Sequence, residues 1–383
     1  MPFKKFKIRD YDFKLILLVA AVALIGVFAV GSAQPSLFKK QLYGYIAGLV
    51  VMLFVSFIDY HFILKFYWVI YILNLALLVL VIFTGESSHN AQRWLMIGSI
   101  KFQPSELAKI LLILFFAQFI MIQREKFNSF PIILLCILFI GVPVALVLAQ
   151  PDLSTTIMLA LIFSAIMFAG KLKFRIILGI LAVIVPAALI FMSVALRPDS
   201  TILKTYQMER VWSFQDPESY PDLVYQQQNS VTAIASGMLE GKGYRNNEIT
   251  SVKNGNFLSE DQTDFIFAII GEEFGFRGSV VVIGLLILIA LECISVGRRA
   301  PDVGGSIIGA AMGALIGFQS FINIGVATFI LPNTGLPLPF VSYGLTSLLT
   351  LFFGIGIVIN VRTQAKRGNS TVDDYIFNDL SKL

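Results

Sequence analysis

The chain has 383 residues, of which 57% are apolar and only 14% charged, with 34 phenylalanines and a mean hydropathy of +0.80. Soluble proteins carry about a quarter of their residues as charges, so this composition excludes a soluble enzyme, a disordered scaffold and a secreted disulfide module. The net charge of +5 is spread over short segments beside apolar runs, where Lys and Arg orient helices in a bilayer, and nucleic-acid binding is discarded on that ground.

A bilayer core about 30 Å thick needs roughly 20 apolar residues per helix. Runs of that kind fall at Phe13 to Ala33, Gln41 to Ile58, Tyr67 to Thr84, Ser105 to Ile122, Phe130 to Ala149, Leu153 to Gly170, Phe174 to Leu196, Gly278 to Val296, Gly304 to Ile330 and Phe340 to Val361. The expectation is an all-α membrane protein of about ten transmembrane helices, a single polytopic domain over 1–383. The first run is too long for a signal-peptide core and lacks a small-residue cleavage site, so it is kept as a span. One set of alternate short loops and ends holds the N-terminal Lys4, Lys5, Lys7 and Arg9, then Lys65, Arg124, Lys126, Lys171, Lys173 and Arg175, then Arg298 and Arg299, and finally Arg362, Lys366 and Arg367. The opposite set holds only Lys39, Lys40, Arg93 and Lys101, which predicts cytoplasmic N- and C-termini. The stretch Arg197 to Arg277 becomes a large structured extracytoplasmic loop, too rich in Trp212, Phe214, Tyr220 and Tyr225 to be disordered. Its last part, Asp264 to Ile270, is too short to span and reads as a half-inserted helix. The polar tail Gly368 to Leu383 reads as a loosely ordered cytoplasmic end.

Ionisable residues inside a span are costly and mark function by default. Glu106 and Lys109 lie three apart on one helix face, either as an internal pair holding the bundle or with Lys109 meeting an anionic group. Arg93 and Trp94 set a cation and an interfacial aromatic just before that helix. Asp152, after Gln150-Pro151, can cap the following helix. Asp264 enters an apolar stretch, where desolvation favours its protonated form and suits it to act as a base, although capping a short helix is an equal alternative. The glycines of Gly237-Met238-Leu239-Glu240-Gly241-Lys242-Gly243 leave amides for an anion, with Lys242 nearby. Leu331 to Phe340 packs Pro332, Pro337 and Pro339 into a rigid turn that either walls a groove or simply connects. Cys136 and Cys293 have no partner at a zinc-like spacing, and His61 and His89 fall on opposite sides of the membrane, so no metal site is expected.

In this order, the pieces resemble the SEDS family, the shape, elongation, division and sporulation proteins of bacterial cell-wall synthesis. The resemblance covers nearly the whole chain. It rests on Ala91-Gln92-Arg93-Trp94 with Phe102-Gln103-Pro104-Ser105-Glu106-Leu107-Ala108-Lys109, on Gln150-Pro151-Asp152-Leu153, and on Thr263-Asp264-Phe265-Ile266-Phe267-Ala268 with Glu272-Glu273. Phe321-Ile322-Asn323-Ile324-Gly325-Val326, Thr334 to Phe340 and Ser342-Tyr343-Gly344 complete it. The Phe102 to Glu106 wording is closer to the RodA-like elongation branch than to the FtsW-like division branch. The resemblance implies a glycosyltransferase that polymerises lipid II on the outer face of the bacterial cytoplasmic membrane beside a class B penicillin-binding protein, with Asp264 catalytic and Trp94 functionally sensitive. The chain departs from the family at Leu258-Ser259-Glu260, where Leu-Pro-Glu is usual, at Leu345 and Met238, where glycine is common, and at Phe329, where a smaller residue is usual.

The mechanism that joins both lines makes Asp264 the general base. Arg210, Lys109 and Arg93 are the candidate cations for the leaving diphosphate, Lys242 and Trp94 join them as substrate-binding candidates, and Asp152 and Glu260 are further site candidates. The sequence assigns no cofactor, although a divalent cation could share the diphosphate's charge. The rival readings are a lipid-linked precursor flippase, which would depend on Glu106 and Lys109, and a non-catalytic scaffold for a penicillin-binding protein.

Overall fold

The computed structural model describes residues 11–88, 91–98, 100–179, 182, 205–245, 251, 258 and 261–380. Bilayer-spanning backbone must satisfy its own N–H and C=O groups, and these apolar runs do so as helices. They are α1 (Phe13–Ala33), α2 (Phe38–Ser56), a short α3 (Tyr60–Leu64), α4 (Tyr67–Thr84), α5 (Pro104–Ile122), α6 (Phe130–Ala149) and α7 (Leu153–Ala169). After the described part of the next run, helical at 174–179, come α8 (Thr205–Gln215), α9 (Pro221–Ser236), α10 (Ile266–Arg298), α11 (Val303–Ala327) and α12 (Leu345–Leu380).

The protein is an all-α membrane protein in its main architecture. Eight helices among the described residues are long and apolar enough to cross a bilayer, and α7, at 17 residues, is apolar but shorter. Most of the expected run Phe174 to Leu196 lies outside the described residues. Burial sorts the helices into an inside and a rim. The apolar stretches of α5, α12 and α11 are 78%, 72% and 67% buried, whereas those of α4, α2 and α6 are 22–28% buried and present their apolar side chains outward.

Close packing of the inner helices depends on small residues, as it does wherever helices associate without a hydrophobic drive. A side chain at Gly313 of α11 would run into the Ala290 carbonyl of α10, and one at Gly356 of α12 into the Met52 carbonyl of α2. Helix α10 is broken at Gly275 (φ 63°, ψ −160°). Its first part, Ile266 to Glu273, is buried on all sides, Ile266, Ile269 and Ile270 being fully so, and it takes up most of the short apolar stretch Asp264 to Ile270. The second part is the span.

One expectation needs correction. A three-stranded antiparallel sheet, β1 (Glu86–Ser88), β2 (Ala91–Ile97) and β3 (Ile100–Phe102), stands where only a connection was expected. Gly98, with φ +63°, turns between the paired Ile97 and Ile100, a hairpin signal overlooked among the helical runs. Through the polar tail, α12 continues without a break to Leu380. No proline interrupts that segment.

At the end of the bundle away from Asp264, a polar cluster ties α3, α11 and α12 together. His61 bridges Asp59 (Nδ1 to Oδ1, 3.0 Å) and Asp302 (Nε2 to Oδ2, 2.7 Å). Tyr60 and the Gly305 amide also donate to Asp302, and Gln364 donates to Asp59.

Candidate functional site

Asp264 stands half-buried in the turn just before α10. The helix's N-cap position is Phe265, so the capping alternative for Asp264 is not the one adopted. Its neighbours are stitched to the proline-rich loop 331–340 and the turn after it. Asn323 Nδ2 donates to the Asp264 carbonyl (2.8 Å) and to the Leu336 carbonyl (2.7 Å). Ser342 Oγ donates to the Thr263 carbonyl (2.6 Å) and accepts from the Leu338 amide (2.7 Å), and the Tyr343 amide donates to the Gln262 carbonyl (2.8 Å). The loop passes so close to the carboxylate that a methyl group on Gly335 would stand 3.3 Å from Asp264 Oδ2, and Gly335 itself has φ +72°.

The loop and the helix end that leads into it are held because their carbonyls are met by side chains of three helices, α7, α9 and α11. Gln227 of α9 donates to Val326 and Leu331 (3.0 and 2.9 Å) and Ser230 to Ala327 (2.7 Å). Ser154 of α7 donates to Thr334, and Gln319 of α11 to Pro337 (2.8 Å). Prolines cannot return such bonds from their nitrogens, and unmet carbonyls in a buried setting are costly, so this segment is held from outside itself. Of the two readings of the loop, the wall beside Asp264 is the one this geometry supports.

The Glu106–Lys109 pair reaches the same loop from behind. Lys109 is 1% exposed and its Nζ donates to Glu106 Oε1 (2.7 Å) and to Gln319 Oε1 (2.8 Å), while Gln319 in turn holds Pro337. Its charge is committed to Glu106, which favours the internal-pair reading over direct contact with a diphosphate.

Arg93, on β2, donates to the Pro151 carbonyl and lies 3.8 Å from Asp152 Oδ1. Asp152 caps α7, accepting from the Thr155 amide (3.2 Å) and hydroxyl (2.9 Å). Trp94, half-buried, pairs with Glu86 across the sheet, and β3 is fastened to α12 by Thr346 Oγ1 donating to the Lys101 carbonyl. Arg93, Trp94 and Asp152 therefore form one unit over the ends of α5 and α7.

Lys242 lies elsewhere. Its Nζ is 2.8 Å from Glu272 Oε1, and Glu272 is eight residues beyond Asp264, about 12 Å along a helix at ~1.5 Å per residue. The glycine-rich amides expected to meet an anion are also engaged: Lys242 N donates to the Glu272 carbonyl and Gly243 N to the Glu273 carbonyl. The glycines are there for contact, since a side chain at Gly237 or Gly241 would strike the backbone of residues 271–275. Arg210 lies on α8, with its side chain outside the described residues, and Glu260 lies outside them altogether. Among the described residues no group of three or more His, Cys, Asp or Glu side chains is arranged to hold a metal.

Sequence reading missed the amides and hydroxyls that build the site: Gln319, Gln227, Ser230 and Ser154. Gln319 and Asn323 stand four apart in an otherwise apolar span, a spacing that puts both on one face, so the signal was present but lay outside a search confined to ionisable groups.

Residues 11–367 match the profile of the cell cycle protein family FtsW/RodA/SpoVE. The chain is 36% identical over 366 residues to the peptidoglycan glycosyltransferase MrdB of Escherichia coli strain K12, covering 95% of this chain and 96% of that protein. It is 29% identical to a probable peptidoglycan glycosyltransferase FtsW of Geobacter sp. strain M18, covering 94% and 99%. Among solved structures, a chain of a peptidoglycan synthase complex that coordinates polymerization and crosslinking superposes with a TM-score of 0.76 at 29% identity, covering 93% of this chain and 98% of that one. The rod shape determining protein RodA of Thermus thermophilus superposes with a TM-score of 0.66 at 26% identity, covering 92% and 96%. With its fold and nearly its whole length matched, the chain belongs to the FtsW/RodA/SpoVE family of membrane proteins, the SEDS family.

Proposed function

We propose that this protein is a peptidoglycan glycosyltransferase that polymerises lipid II into glycan strands at the outer face of the bacterial cytoplasmic membrane, with both termini cytoplasmic, in cell elongation, division or sporulation. The observation that carries the reading is Asp264, a half-buried carboxylate at the mouth of a fully buried half-helix, facing a loop whose carbonyls Ser154, Gln227, Gln319 and Asn323 hold in place.

A sugar hydroxyl is a weak nucleophile. As the acceptor oxygen bonds to the anomeric carbon of the donor, its proton passes to the Asp264 carboxylate, the bond from that carbon to the diphosphate oxygen breaks, and the lipid diphosphate departs with the electron pair. Positioned general bases contribute on the order of 100- to 10,000-fold, and holding both reactants in place supplies much of the rest. Arg93, fixed by Pro151 and Asp152, and Arg210 on α8 are the cations we assign to the departing diphosphate. Lys109 supports the site indirectly, through Gln319 and Pro337. A divalent cation, were one to share the diphosphate's charge, would be held by the diphosphate itself, because the described residues offer no group of three or more His, Cys, Asp or Glu to hold it. The chain works beside a class B penicillin-binding protein, in line with the synthase complex among its structural neighbours.

The test is glycan-chain formation from purified lipid II, with and without a penicillin-binding protein and with and without chelator, comparing the natural protein with Asp264→Ala. Polymer that disappears in a folded variant is the expected result. Equal polymer from both proteins rejects Asp264 as the base, and no polymer from the natural protein under any condition rejects the activity.

A further inference from the structure

We propose that a groove between α1 and α10 binds a zwitterionic aminophospholipid of the surrounding bilayer, the phosphate on Arg277 and the ammonium on Glu240. The groove holds about 500 Å³. Its walls are Ile25 and Phe28 of α1, Ile270 and Phe274 of the half-helix, and Val281 and Val282 beyond the kink. Phe28 lies five residues from the end of α1, about 7.5 Å at ~1.5 Å per residue, so the groove opens within the leaflet at the Asp264 end of the bundle. A void of this size facing hydrocarbon loses the contacts of its lining, and a lipid chain restores them.

The rim selects the headgroup. Glu240 Oε1 and Arg277 Nη1 lie 2.9 Å apart and both are exposed. The two other described cations of the same loop are committed: Lys242 to Glu272, and Arg245 to the Gly31 carbonyl and the Tyr244 ring. The rim therefore offers one positive and one negative group side by side. A phosphate next to an ammonium meets both. A phosphoglycerol headgroup meets Arg277 but sets its charge against Glu240, and a polyprenyl diphosphate, anionic without a cation, does so more strongly. The inference does not rest on the catalytic reading.

Native mass spectrometry of the full chain with phosphatidylethanolamine and phosphatidylglycerol of identical acyl chains tests it. The expected preference for phosphatidylethanolamine is about fivefold, the scale of one exposed ion pair worth ~1 kcal/mol at 1.4 kcal/mol per tenfold. Glu240→Gln abolishes that preference, and Arg277→Gln weakens both lipids. A phosphatidylethanolamine carrying a photoreactive acyl chain crosslinks to residues 25–28 and 278–282, and Val281→Trp, on the lipid-facing wall, removes the crosslink. Equal or stronger binding of phosphatidylglycerol to the natural protein, an unchanged preference in Glu240→Gln, or displacement of phosphatidylethanolamine by equimolar undecaprenyl phosphate overturns the proposal.

Discussion

Replacing Lys109 by methionine keeps most of the side chain's volume and deletes its charge, which makes it a sharp probe of the link behind the site. Glu106 is 3% exposed, and removing Lys109 strips this buried carboxylate of the cation 2.7 Å away. Breaking a buried pair from one side costs about 3–5 kcal/mol. Gln319 Oε1 loses its 2.8 Å donor at the same time, a further ~1–3 kcal/mol taken alone. The two losses are not additive, because both follow from one side chain in one hydrogen-bond network, so a total near 3–5 kcal/mol is expected. In the double variant Glu106→Gln with Lys109→Met no charge is stranded, and the cost falls to about 1–2 kcal/mol, since a buried pair exchanged as a whole is often nearly neutral. Cys136 and Cys293 are both fully buried, so a thiol-reactive dye reports unfolding in detergent without added labels. The expected order of unfolding temperatures is natural protein, double variant, then Lys109→Met well below. A Lys109→Met protein as stable as the natural one, or a double variant no better than the single, would refute the argument that the pair is an internal support.

Gly335→Ala forces a left-handed backbone on alanine and sets a methyl group 3.3 Å from Asp264 Oδ2; polymer formation is expected to fall about 10- to 100-fold with only ~1–2 kcal/mol of stability lost. Met238 is 77% exposed at φ +50°, so Met238→Gly should raise stability by about 0.5–1 kcal/mol, read as an unfolding temperature higher by a degree or two. Phe329, at φ +58°, packs edge-on to Phe214 (5.5 Å between rings), and Phe329→Gly should show no such gain. At the opposite end, the hydrogen bond to Asp302 raises the affinity of His61 for its proton above the ordinary 6.5, against burial, with Asp59 assisting. Asp302 is lowered from 3.8: burial works to raise it, and the bonds from His61, Tyr60 and Gly305 prevail. The His61 contribution to stability is complete below about pH 6.5 and is lost as pH rises through its raised value; that of Asp302 is complete above about pH 4 and lost as pH falls through its lowered one. Stability measured across pH 4 to 9 should therefore decline on the alkaline side in the natural protein, and His61→Gln should flatten that decline.

The helices were legible because hydrocarbon admits few solutions: Phe13–Ala33, Tyr67–Thr84 and Phe130–Ala149 have the bounds the apolar runs mark out. Local signals also reached the break at Gly275 and the Asp152 cap. The sheet around Arg93 and Trp94 was missed because a short hairpin leaves only a two-residue turn signal, drowned by the flanking spans. Asp264 stood out as a carboxylate at the edge of an apolar run, but its surroundings did not. Which amide faces which carbonyl is decided by crossings between α7, α9 and α11, far apart in sequence, and no periodicity records them. Met238 and Phe329 show the reverse: departures noticed by resemblance acquire a physical meaning once both prove to sit at positive φ.

The same network bears on the rival readings. A flippase needs charges that line a path and exchange partners as cargo passes, and Glu106 and Lys109 are the intramembrane charges on which such a path would depend. Both are almost fully buried, and the lysine's donors go to Glu106 and to Gln319, whose own amide is spent on Pro337. Moving that lysine toward a passing anion would uncover Glu106 and release the loop beside Asp264 together, a coupled cost of several kcal/mol at each passage. A fixed support suits an enzyme better, because general-base catalysis depends on holding the base to within a fraction of an ångström while two membrane-held substrates are brought to it. A scaffold would need neither feature. The discriminating result is therefore a pair of variants: Asp264→Asn should lose polymer formation while unfolding at the natural temperature, whereas Lys109→Met should lose both together. A scaffold predicts that neither changes any chemistry, and a flippase that lipid translocation survives Asp264→Asn and fails in Lys109→Met.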